Sequence, residues 1–491
     1  MSCIKLKVIP LLFLFVFPIS LSARQERHIT IQEALDIAKE QSLEAIVARN
    51  MFLAAQWQYR SYRSELFPNI ALEGNLPRLN RSLTPYQKED GTYGFVKNSM
   101  LTEEIAVGLS QNIPFTGGNI TVYSALQRID QLDGAKTTGY MSVPYSVTLN
   151  QPLFNPMALK WAMRIEPERF KEAKQQYQSN IESIYMKTID CYFELLLAQA
   201  NLDIAQINSV NAEKLYNIAQ GKKTLGLISD NDLLQLELAA INAQAAIISA
   251  RQTLEKSMLA LRNFLRLDEN TELSPVIPEM SLNADINLSE VQELATLNNP
   301  ITHNRKRLLL EARQKVDIAK ANRGFKADLS LSIGNTGSDL TLPDSYRNLQ
   351  QREIVSLGVR IPILDWGKGR GNIKLAESQQ DVVNSQVEQE QLDFERNIIL
   401  SVTQYKDQAN LVALAQHADS LAGLRYQTAF QTFVMGTINV LDVNSAQVER
   451  DNARRKYINE LYLSWLCYYN LRQITLFDFK TRTVIKHSET Y

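Results

Sequence analysis

The chain has 491 residues, of which 45% are hydrophobic, and its 52 lysines and arginines nearly balance 53 aspartates and glutamates. This balance excludes the basic surface on which nucleic-acid binding depends, so no nucleic-acid partner is expected. The 3 cysteines and 4 histidines are too scattered for a disulfide framework or a zinc site. The sequence has no G-x-S-x-G or H-x-x-x-H motif and therefore indicates neither an enzyme nor a cofactor.

The amino terminus has the layout of a secretory signal peptide. Lys5 and Lys7 precede an apolar run, Val8–Ile19, which is followed by small residues ending at Ala23. We predict a signal peptide over residues 1–23, because the run is shorter than the ~20 residues of a membrane-spanning helix. No later stretch is expected to approach that length. The exported chain is therefore predicted to be either soluble outside the cytoplasm or inserted as a β-barrel.

Helical patterns dominate the first half of the chain. Residues Ile31–Glu65 have helical apolar spacing and end before Pro68, which disfavours helix in the preceding residue. Residues Ala158–Gln220 contain no glycine, and about 60 helical residues extend ~90 Å. A further helix begins at Asn231, and its apolar residues at steps of three and four predict a coiled-coil seam. The seam comprises Leu233, Leu236, Ala240, Ala243, Ile247, Ala250, Leu254, Leu261 and Phe264.

Alternating apolar and polar residues between these helices predict β-strands. The clearest strands are Ile105–Phe115, Asn119–Gln127 and Tyr145–Phe154. The polar stretches Asn80–Met100 and Gln131–Val143, which carry proline or glycine, are predicted as surface loops. Taken alone, these strands are also compatible with a small exposed antiparallel sheet.

The second half has the same order of elements. Strands are predicted at Asp328–Gly334 and Ile354–Leu364, and a long helix runs from Asn372 to about Phe433. Between these strands and the helix, Gly367–Asn372 (GKGRGN) lacks the spacing of a phosphate-binding loop. We interpret it as a strand-to-helix corner.

Matching positions indicate that the two halves are tandem repeats. A G-x-I-x-x-x-D pattern occurs twice, separated by 210 positions (436 minus 226), and comprises Gly226, Ile228, Asp232, Gly436, Ile438 and Asp442. The early helices match at 257 positions instead (290 minus 33), so the first half holds 47 extra residues (257 minus 210). A long loop, an added hairpin or longer strands would each accommodate them. We divide the chain into a signal peptide (1–23), a first repeat (24–275), a second repeat (276–480) and a tail (481–491).

The sequence resembles the TolC-like outer membrane efflux proteins over nearly all of the mature chain. The resemblance rests on the tandem halves, the paired G-x-I-x-x-x-D segments and the strand-to-helix junctions Gln151–Pro156 (QPLFNP) and Ile361–Gly369 (IPILDWGKG). It implies a mainly α fold with a transmembrane β-barrel portion, in which four strands per protomer complete a twelve-stranded barrel in a homotrimer. The helices would form a long periplasmic coiled-coil tunnel below the outer membrane lipid. The junction residues of interest are Pro152, Pro362 and Gly367.

The same resemblance implies roles for the paired segments, which would form the periplasmic end of the tunnel. Gly226, Ile228, Asp232, Gly436 and Ile438 would contact a periplasmic adaptor protein. Phe433, Asp442 and Ser445 would line the aperture. The polar groups that hold this mouth shut in the best-known family member correspond here to Phe433 and Ile438, so closure would use apolar contact or other pairs. Alternatively, both aspartates act mainly at the amino-terminal ends of their helices.

The function that this resemblance implies is a passive exit duct of a tripartite efflux system. An inner-membrane pump would deliver small molecules or metal ions through the adaptor. The alternatives are a channel for type I protein secretion and a soluble periplasmic coiled-coil adaptor. The loops Asn80–Met100 and Gln131–Val143 would lie at the extracellular end of the barrel.

Overall fold

A computed structural model describes residues 25–134, 136–154, 158–226, 228–268, 270–279 and 286–487. The predicted signal peptide lies outside these residues. The chain divides into two compact units, each built from segments of both halves of the sequence. Unit 1 comprises Met1–Ile46, Ser183–Ala284 and Tyr405–Tyr469, and unit 2 comprises Val47–Glu182, Asp285–Gln404 and Asn470–Tyr491.

The helices, numbered in chain order, confirm the predicted helical segments. They are α1 (Ile31–Gln41), α2 (Leu43–Ser64), α3 (Ala158–Thr224), α4 (Asp230–Leu265), α5 (Leu288–Asn298), α6 (Pro300–Arg323), α7 (Lys368–Met435) and α8 (Val440–Thr475). The predicted first helix is divided at Ser42, whose hydroxyl accepts a hydrogen bond from the Ala45 amide at 3.1 Å. Asn299 divides α5 from α6 in the same way, accepting from the Ile301 amide at 3.0 Å. These two breaks are 257 positions apart (299 minus 42), which is the separation that relates the early helices of the two halves.

Helix α4 confirms one prediction and corrects another. All of its predicted seam residues are buried or half-buried. However, α4 contains an 18-residue stretch with a mean hydropathy of 1.4. Only 6% of that stretch is buried, so by length and composition α4 could cross a membrane. The expectation that no later stretch approaches that length is therefore wrong, because Leu238–Ala250 carries no charge. A second apolar set on α4 is exposed and comprises Leu238, Ile241 and Ile248.

The strands are also numbered in chain order. They are β1 (Gln25–Ile29), β2 (Asn69–Gln87), β3 (Tyr93–Asn112), β4 (Asn119–Gln131), β5 (Thr138–Leu153), β6 (Thr271–Pro275), β7 (Lys326–Asp339), β8 (Gln350–Arg360), β9 (Phe477–Asp478) and β10 (Thr483–Val484). Six of them form one antiparallel sheet in unit 2, in the order β2-β3-β4-β5-β7-β8. The sheet thus has two strands more than the four per protomer that the resemblance implies. Strand β2 was not predicted, because Pro77 and Pro85 interrupt its alternation of apolar and polar residues.

The two stretches predicted as surface loops belong largely to β-hairpins, which corrects that prediction. Asn80 pairs with Met100 across β2 and β3, and the connecting turn is closed by a 2.8 Å bond from the Lys88 amide to the Thr92 carbonyl. Asp130 pairs with Thr138 across β4 and β5. The first half contributes four strands to the sheet and the second half contributes two. The extra length of the first half is accordingly an added hairpin.

The two faces of the sheet differ in polarity. Successive side chains of a strand point to opposite faces, and paired residues on neighbouring strands share a face. One cross-strand row is apolar until its last member, with Ile70, Leu109, Val122, Val147, Ile333 and Glu353 in register. The adjacent row is polar until its last member, with Asn69, Ser110, Thr121, Thr148, Ser332 and Ile354 in register. One face of the sheet therefore carries the bulky apolar side chains.

In unit 1, the first described residues belong to a two-stranded parallel sheet. Strand β1 pairs with β6 from Gln25 with Thr271 to Ile29 with Pro275. The Tyr192 hydroxyl donates toward the Ile29 carbonyl at 3.0 Å and the Val276 carbonyl at 2.6 Å. Burial raises the pKa of Tyr192 to about 12. This buried hydroxyl connects the two strands to α3.

In unit 2, the described part of the tail is held against α3. Strands β9 and β10 pair with each other, and the His487 amide donates to Gln178 Oε1 at 2.7 Å. His487 Nε2 of the tail lies 3.1 Å from Oε1 of Glu182, a fully buried carboxylate. Arg472 of α8 donates two hydrogen bonds of 3.0 Å to the same carboxylate. A buried carboxylate requires such a partner, because desolvation penalises an unpaired charge. The tail is therefore part of the folded unit.

Candidate functional site

The first G-x-I-x-x-x-D segment forms the turn between α3 and α4. Gly226 follows the end of α3 with a φ of +71°, a conformation that disfavours residues with a Cβ. Ser229 caps α4, since its hydroxyl accepts from the Asp232 amide at 3.1 Å. The Ser229 hydroxyl donates in turn to Asp232 Oδ2 at 2.7 Å. Asp232 Oδ2 also accepts from the Ser229 amide at 3.4 Å, which completes a capping box at the start of α4.

The second segment forms the equivalent turn between α7 and α8. Gly436 has a φ of +87°, and Asn439 Oδ1 accepts from the Asp442 amide at 2.9 Å. The capping side chain is therefore Asn439, while Asp442 lies in the first turn of α8 with an exposed side chain. An acidic side chain in this position is stabilised by the positive end of the helix dipole.

The two turns share one apolar core within unit 1, which we call the tip cluster. Its buried members are Leu215, Ala219, Leu236, Tyr426, Phe433, Val440, Val443 and Ala446. Ile228 and Ile438, the equivalent isoleucines of the two segments, both pack against it half-buried. Burial of a side chain as large as Phe433 contributes about 1.5–3 kcal/mol. The sequence repeat thus brings its two copies together around common packing.

Lys222 makes a polar link across the tip cluster. Its Nζ donates to the Phe433 carbonyl at 2.8 Å and lies 4.7 Å from the centre of the Phe433 ring. The carbonyl belongs to the last turn of α7, where helical carbonyls lack partners within the helix. The sequence analysis missed Lys222, because no local pattern relates it to a partner 211 positions away.

A second set of polar contacts connects α3 with α8. Arg450 donates to Asn208 Oδ1 at 2.6 Å and to Asp451 Oδ1 at 2.6 Å, and Asn208 donates to Asp451 Oδ2 at 2.6 Å. The Arg450 guanidinium also lies 4.2 Å from the centre of the Tyr426 ring. Burial raises the pKa of Tyr426, and the positive charge of Arg450 opposes that rise. These contacts are further links between the helical pairs α3–α4 and α7–α8.

Comparison with known proteins decides the family. The model of the outer membrane efflux protein family matches residues 31–265 and 293–474, which include both halves. The chain belongs to the outer membrane efflux protein family. This confirms the resemblance found in the sequence and the mainly helical fold class with its barrel portion. The family is one of channels rather than enzymes.

Individual relatives agree with this membership. The cobalt-zinc-cadmium resistance protein CzcC of Cupriavidus metallidurans is 24% identical over 300 residues, covering 60% of this chain and 68% of the relative. The outer membrane protein VceC of Vibrio cholerae has a TM-score of 0.65 at 16% identity, with 91% of this chain and 96% of VceC covered. The Campylobacter jejuni outer membrane channel CmeC has a TM-score of 0.64 at 15% identity, with 94% and 87% covered. These two likenesses show the fold.

In this efflux protein, the predicted aperture residues have different surroundings. Asp442 and Ser445 are exposed on α8, and the Ser445 hydroxyl is 3.4 Å from Glu449 Oε1. Phe433, in contrast, is 3% exposed and belongs to the tip cluster. Within one chain, Phe433 thus joins the helical pairs rather than facing open space. Its role at the aperture of an assembled channel stays a prediction.

The predicted junctions lie at the helix end of the sheet. Pro152 is in β5, paired with Asp328, while Pro362 follows β8 and Gly367 has a φ of +85°. Asp365 accepts hydrogen bonds from the amides of Gly367 at 3.0 Å and Gly369 at 2.8 Å. These amides lower the pKa of Asp365. The segment GKGRGN is therefore a strand-to-helix corner, as predicted, and α7 begins within it.

Large aromatic and apolar side chains are exposed around these junctions. They include Phe67, Phe115, Phe154, Ile363 and Trp366. In membrane barrels, aromatic girdles mark the boundary between lipid and water. Across the described residues, no group of three or more histidine, cysteine, aspartate or glutamate side chains is placed to hold a metal ion.

Proposed function

We propose that the chain is the outer-membrane exit duct of a tripartite efflux system. It works as a homotrimer and passively conducts cargo that an inner-membrane pump delivers through a periplasmic adaptor. The observation that carries this proposal is the six-stranded sheet of a family member, with one apolar face and two open edges. Open edges are not tolerated in lipid, because each unpaired backbone group costs several kcal/mol. Further copies of the chain supply the missing pairs.

The helical part supports the same assembly. Exposed leucines and isoleucines recur along α4 and α7, including Leu238, Ile241, Leu414 and Leu421. A helix surface that is apolar outside its own seam favours further packing against other helices. Neighbouring copies would cover these side chains in a tunnel wall. The periplasmic location of the helices is part of this proposal.

The tips are the proposed contact surface for the adaptor. Leu225 is 74% exposed and Met435 is 71% exposed, and each directly precedes the glycine of its turn. Both turns therefore present an equivalent apolar side chain beside Gly226 and Gly436. Exposed apolar groups with polar surroundings are typical of protein contact sites. Behind these side chains, the tip cluster is packed by Ile228 and Ile438, and the start of α4 is capped with the help of Asp232.

For the cargo, we infer divalent transition-metal ions. The support is the likeness to a protein named for cobalt, zinc and cadmium resistance. A wide duct selects by charge and width, so the pump and adaptor would set most of the specificity. Deleting the gene should increase sensitivity to these metals, and the intact chain should restore growth. Unchanged metal sensitivity together with loss of a secreted protein would favour type I protein secretion instead.

The assembly is tested by fractionation and electrophoresis. The mature chain should enter the outer-membrane fraction, require detergent and run as a trimer that heating dissociates. Reconstituted into a planar bilayer, it should form discrete ion-conducting channels. A water-soluble monomer would contradict the proposal and favour a soluble coiled-coil adaptor. A Leu225→Ser, Met435→Ser double variant should keep the trimer and lose co-purification with the adaptor.

A further inference from the structure

We propose that each copy contributes all six strands of its sheet to the membrane barrel, and that β2 of one copy pairs with β8 of the next. Three copies of a six-stranded sheet then close an eighteen-stranded barrel. This inference rests on the proposed trimer and specifies its membrane part. Its partner is a second copy of this chain, bound through backbone hydrogen bonds along two edge strands.

The pairing of β3 with β4 argues against a barrel of four strands per copy. A barrel of four strands per copy would use β4, β5, β7 and β8, with β4 as the edge that meets the next copy. In this sheet, β4 is already paired with β3 from Met100 with Gln131 to Asn112 with Asn119. That pairing occupies the whole length of β4. A neighbouring copy therefore meets an occupied strand, and the free edge lies two strands farther out at β2.

The hairpin of β2 and β3 also continues the apolar face. Ile70 lies opposite Leu109, in the row that Val122 continues on β4, and Leu72 lies opposite Val107 on the same face of the hairpin. Leu72 is 72% exposed, and Val355 on the far edge strand is 75% exposed. A hairpin that lay in water outside the barrel would gain nothing from such a face. Its polarity matches that of a strand whose outer face contacts lipid.

The polar row gives the same result on the opposite face. Asn69 and Ser110 extend the line of hydroxyl-bearing residues formed by Thr121, Thr148 and Ser332. A lumen-facing surface of polar side chains is the usual interior of a water-filled barrel. Thus the added hairpin has both a lipid-type face and a lumen-type face.

The two edges are suited to each other in direction and length. Because all neighbouring strands are antiparallel, β2 and β8 at the ends of a six-stranded sheet run in opposite directions. Placed side by side in successive copies, they form a further antiparallel pair. Strand β8 has 11 residues, which is sufficient for the ~9–11 residues of a tilted membrane strand. Strand β2 has 19 residues and can pair along the full length of β8.

The strand number has a consequence for the pore. Barrel diameter grows roughly linearly with strand number, and barrels of 16–18 strands leave an aqueous channel. Eighteen strands would thus give a barrel about one and a half times as wide as twelve strands. The membrane part of the duct would then restrict cargo less than a twelve-stranded barrel.

Electron cryo-microscopy of the detergent-solubilised trimer tests the proposal directly. We expect eighteen barrel strands, with β2 of each copy beside β8 of its neighbour. A trimer with twelve barrel strands, in which the hairpin of β2 and β3 is detached from the wall, would overturn the inference. The proposed function would survive that result, whereas the absence of any membrane trimer would contradict the proposed function itself.

Disulfide cross-linking provides a second measurement with a matched control. In a Cys191→Ala, Cys467→Ala background, Leu72→Cys is combined in turn with Val355→Cys, Leu357→Cys and Val359→Cys. After oxidation, at least one pair should give linked copies on a non-reducing gel. Val122→Cys, on the same face of β4, replaces Leu72→Cys in the control series and should give none. Links from Val122→Cys without links from Leu72→Cys would overturn the proposal.

Discussion

The six-stranded sheet and the tip cluster use the same kinds of side chain in opposite ways. In the sheet, Leu72 and Val355 are exposed on one continuous face, whereas Phe433 and Val443 in the tip cluster are almost fully buried. The tip cluster is a core that the chain completes by itself. In the proposed assembly, the sheet is a surface that lipid and further copies complete. The same type of side chain thus indicates a completed core where it is buried and a surface that awaits a partner where it is exposed.

This difference also separates the sources of stability. Burial of Phe433 contributes to folding of the chain itself, because its ring leaves water when α7 packs against its neighbours. Burial of Leu72 contributes only when the sheet enters a membrane. Substitutions in the two regions should therefore affect different measurements.

The largest expected effect comes from removing the ring at the centre of the tip cluster. Phe433→Ala should lower the local free energy of opening by about 3–5 kcal/mol, since it creates a cavity. Hydrogen exchange at the turn between α7 and α8 measures this effect. Leu441→Ala, at a side chain that is 68% exposed, is the control and should change little. Equal effects of the two variants would remove the distinction between core and surface at the tips.

A charge on the apolar face of the sheet should have the next largest effect. Leu357→Arg should destabilise membrane insertion by about 2–4 kcal/mol, the cost of arginine near the middle of a lipid-facing strand. Ser356→Arg, one residue away on the polar face, should be tolerated. The yield of heat-dissociable trimer in the outer-membrane fraction measures both. If Ser356→Arg were the more damaging variant, the assignment of the two faces would be reversed.

Loss of the Lys222 link should have a smaller effect that is confined to the tips. Lys222→Gln removes the contact with the Phe433 ring and weakens the bond to its carbonyl, which together contribute about 1.5–3 kcal/mol. We expect longer open times in single-channel recordings. Lys223→Gln is the matched control, because Lys223 pairs with Asp230 beside the same turn. Identical open times for Lys222→Gln and the unmodified channel would exclude a role in closure.

Backbone conformation predicts an effect of about 1–2 kcal/mol at the second turn. Gly436→Ala places a Cβ on a left-handed residue, which costs about 1–2 kcal/mol. Gly423→Ala, within α7, should instead stabilise by about 0.5–1 kcal/mol, because alanine favours helix and no atom lies within 4 Å of the added Cβ. The thermal unfolding midpoint of the trimer should fall for Gly436→Ala and rise for Gly423→Ala. A shift in the same direction would contradict the assigned turn geometry.

The smallest expected change in stability is at the predicted aperture. Asp442→Asn removes a charge while leaving Asn439 as the cap, so stability should change by no more than about 1 kcal/mol. Three symmetry-related carboxylates would focus negative potential, so this variant should lower cation preference and weaken block by multivalent cations. Asp232→Asn should do less, because Asp232 is engaged with Ser229. Equal and negligible changes in selectivity would leave Asp442 without a role at the aperture.

Much of the fold could be predicted from periodicity. The long helices and the clearest strands have regular patterns, and the repeat at Gly226 and Gly436 predicted two equivalent turns. Strand β2 could not be predicted, since prolines and a bulge between Asn75 and Arg78 disrupt its alternation. The four strands per protomer that the resemblance implies do not include the added hairpin, since the six-stranded sheet has two strands more.

The candidate site was predictable only where it depends on local geometry. The glycines and aspartates follow from the rules for ending and starting helices. Ser229 as the capping residue has a recognisable local pattern with Asp232. Lys222, Asn208 and Arg450 have partners from distant parts of the sequence, and nothing in their neighbourhoods indicates those pairings.

The register between β5 and β7 constrains how the protein is made. If the chain is exported from its amino terminus, as the proposed function requires, β1 and the first four strands of the sheet emerge long before their later partners. Leu149 must wait for Leu331, and Ile29 must wait for Pro275, before either pairing can form. During this interval an apolar strand edge is open in an aqueous compartment, which is the condition under which β-structures aggregate. Biogenesis of this channel should therefore depend on periplasmic chaperones that hold the first half until the second half arrives.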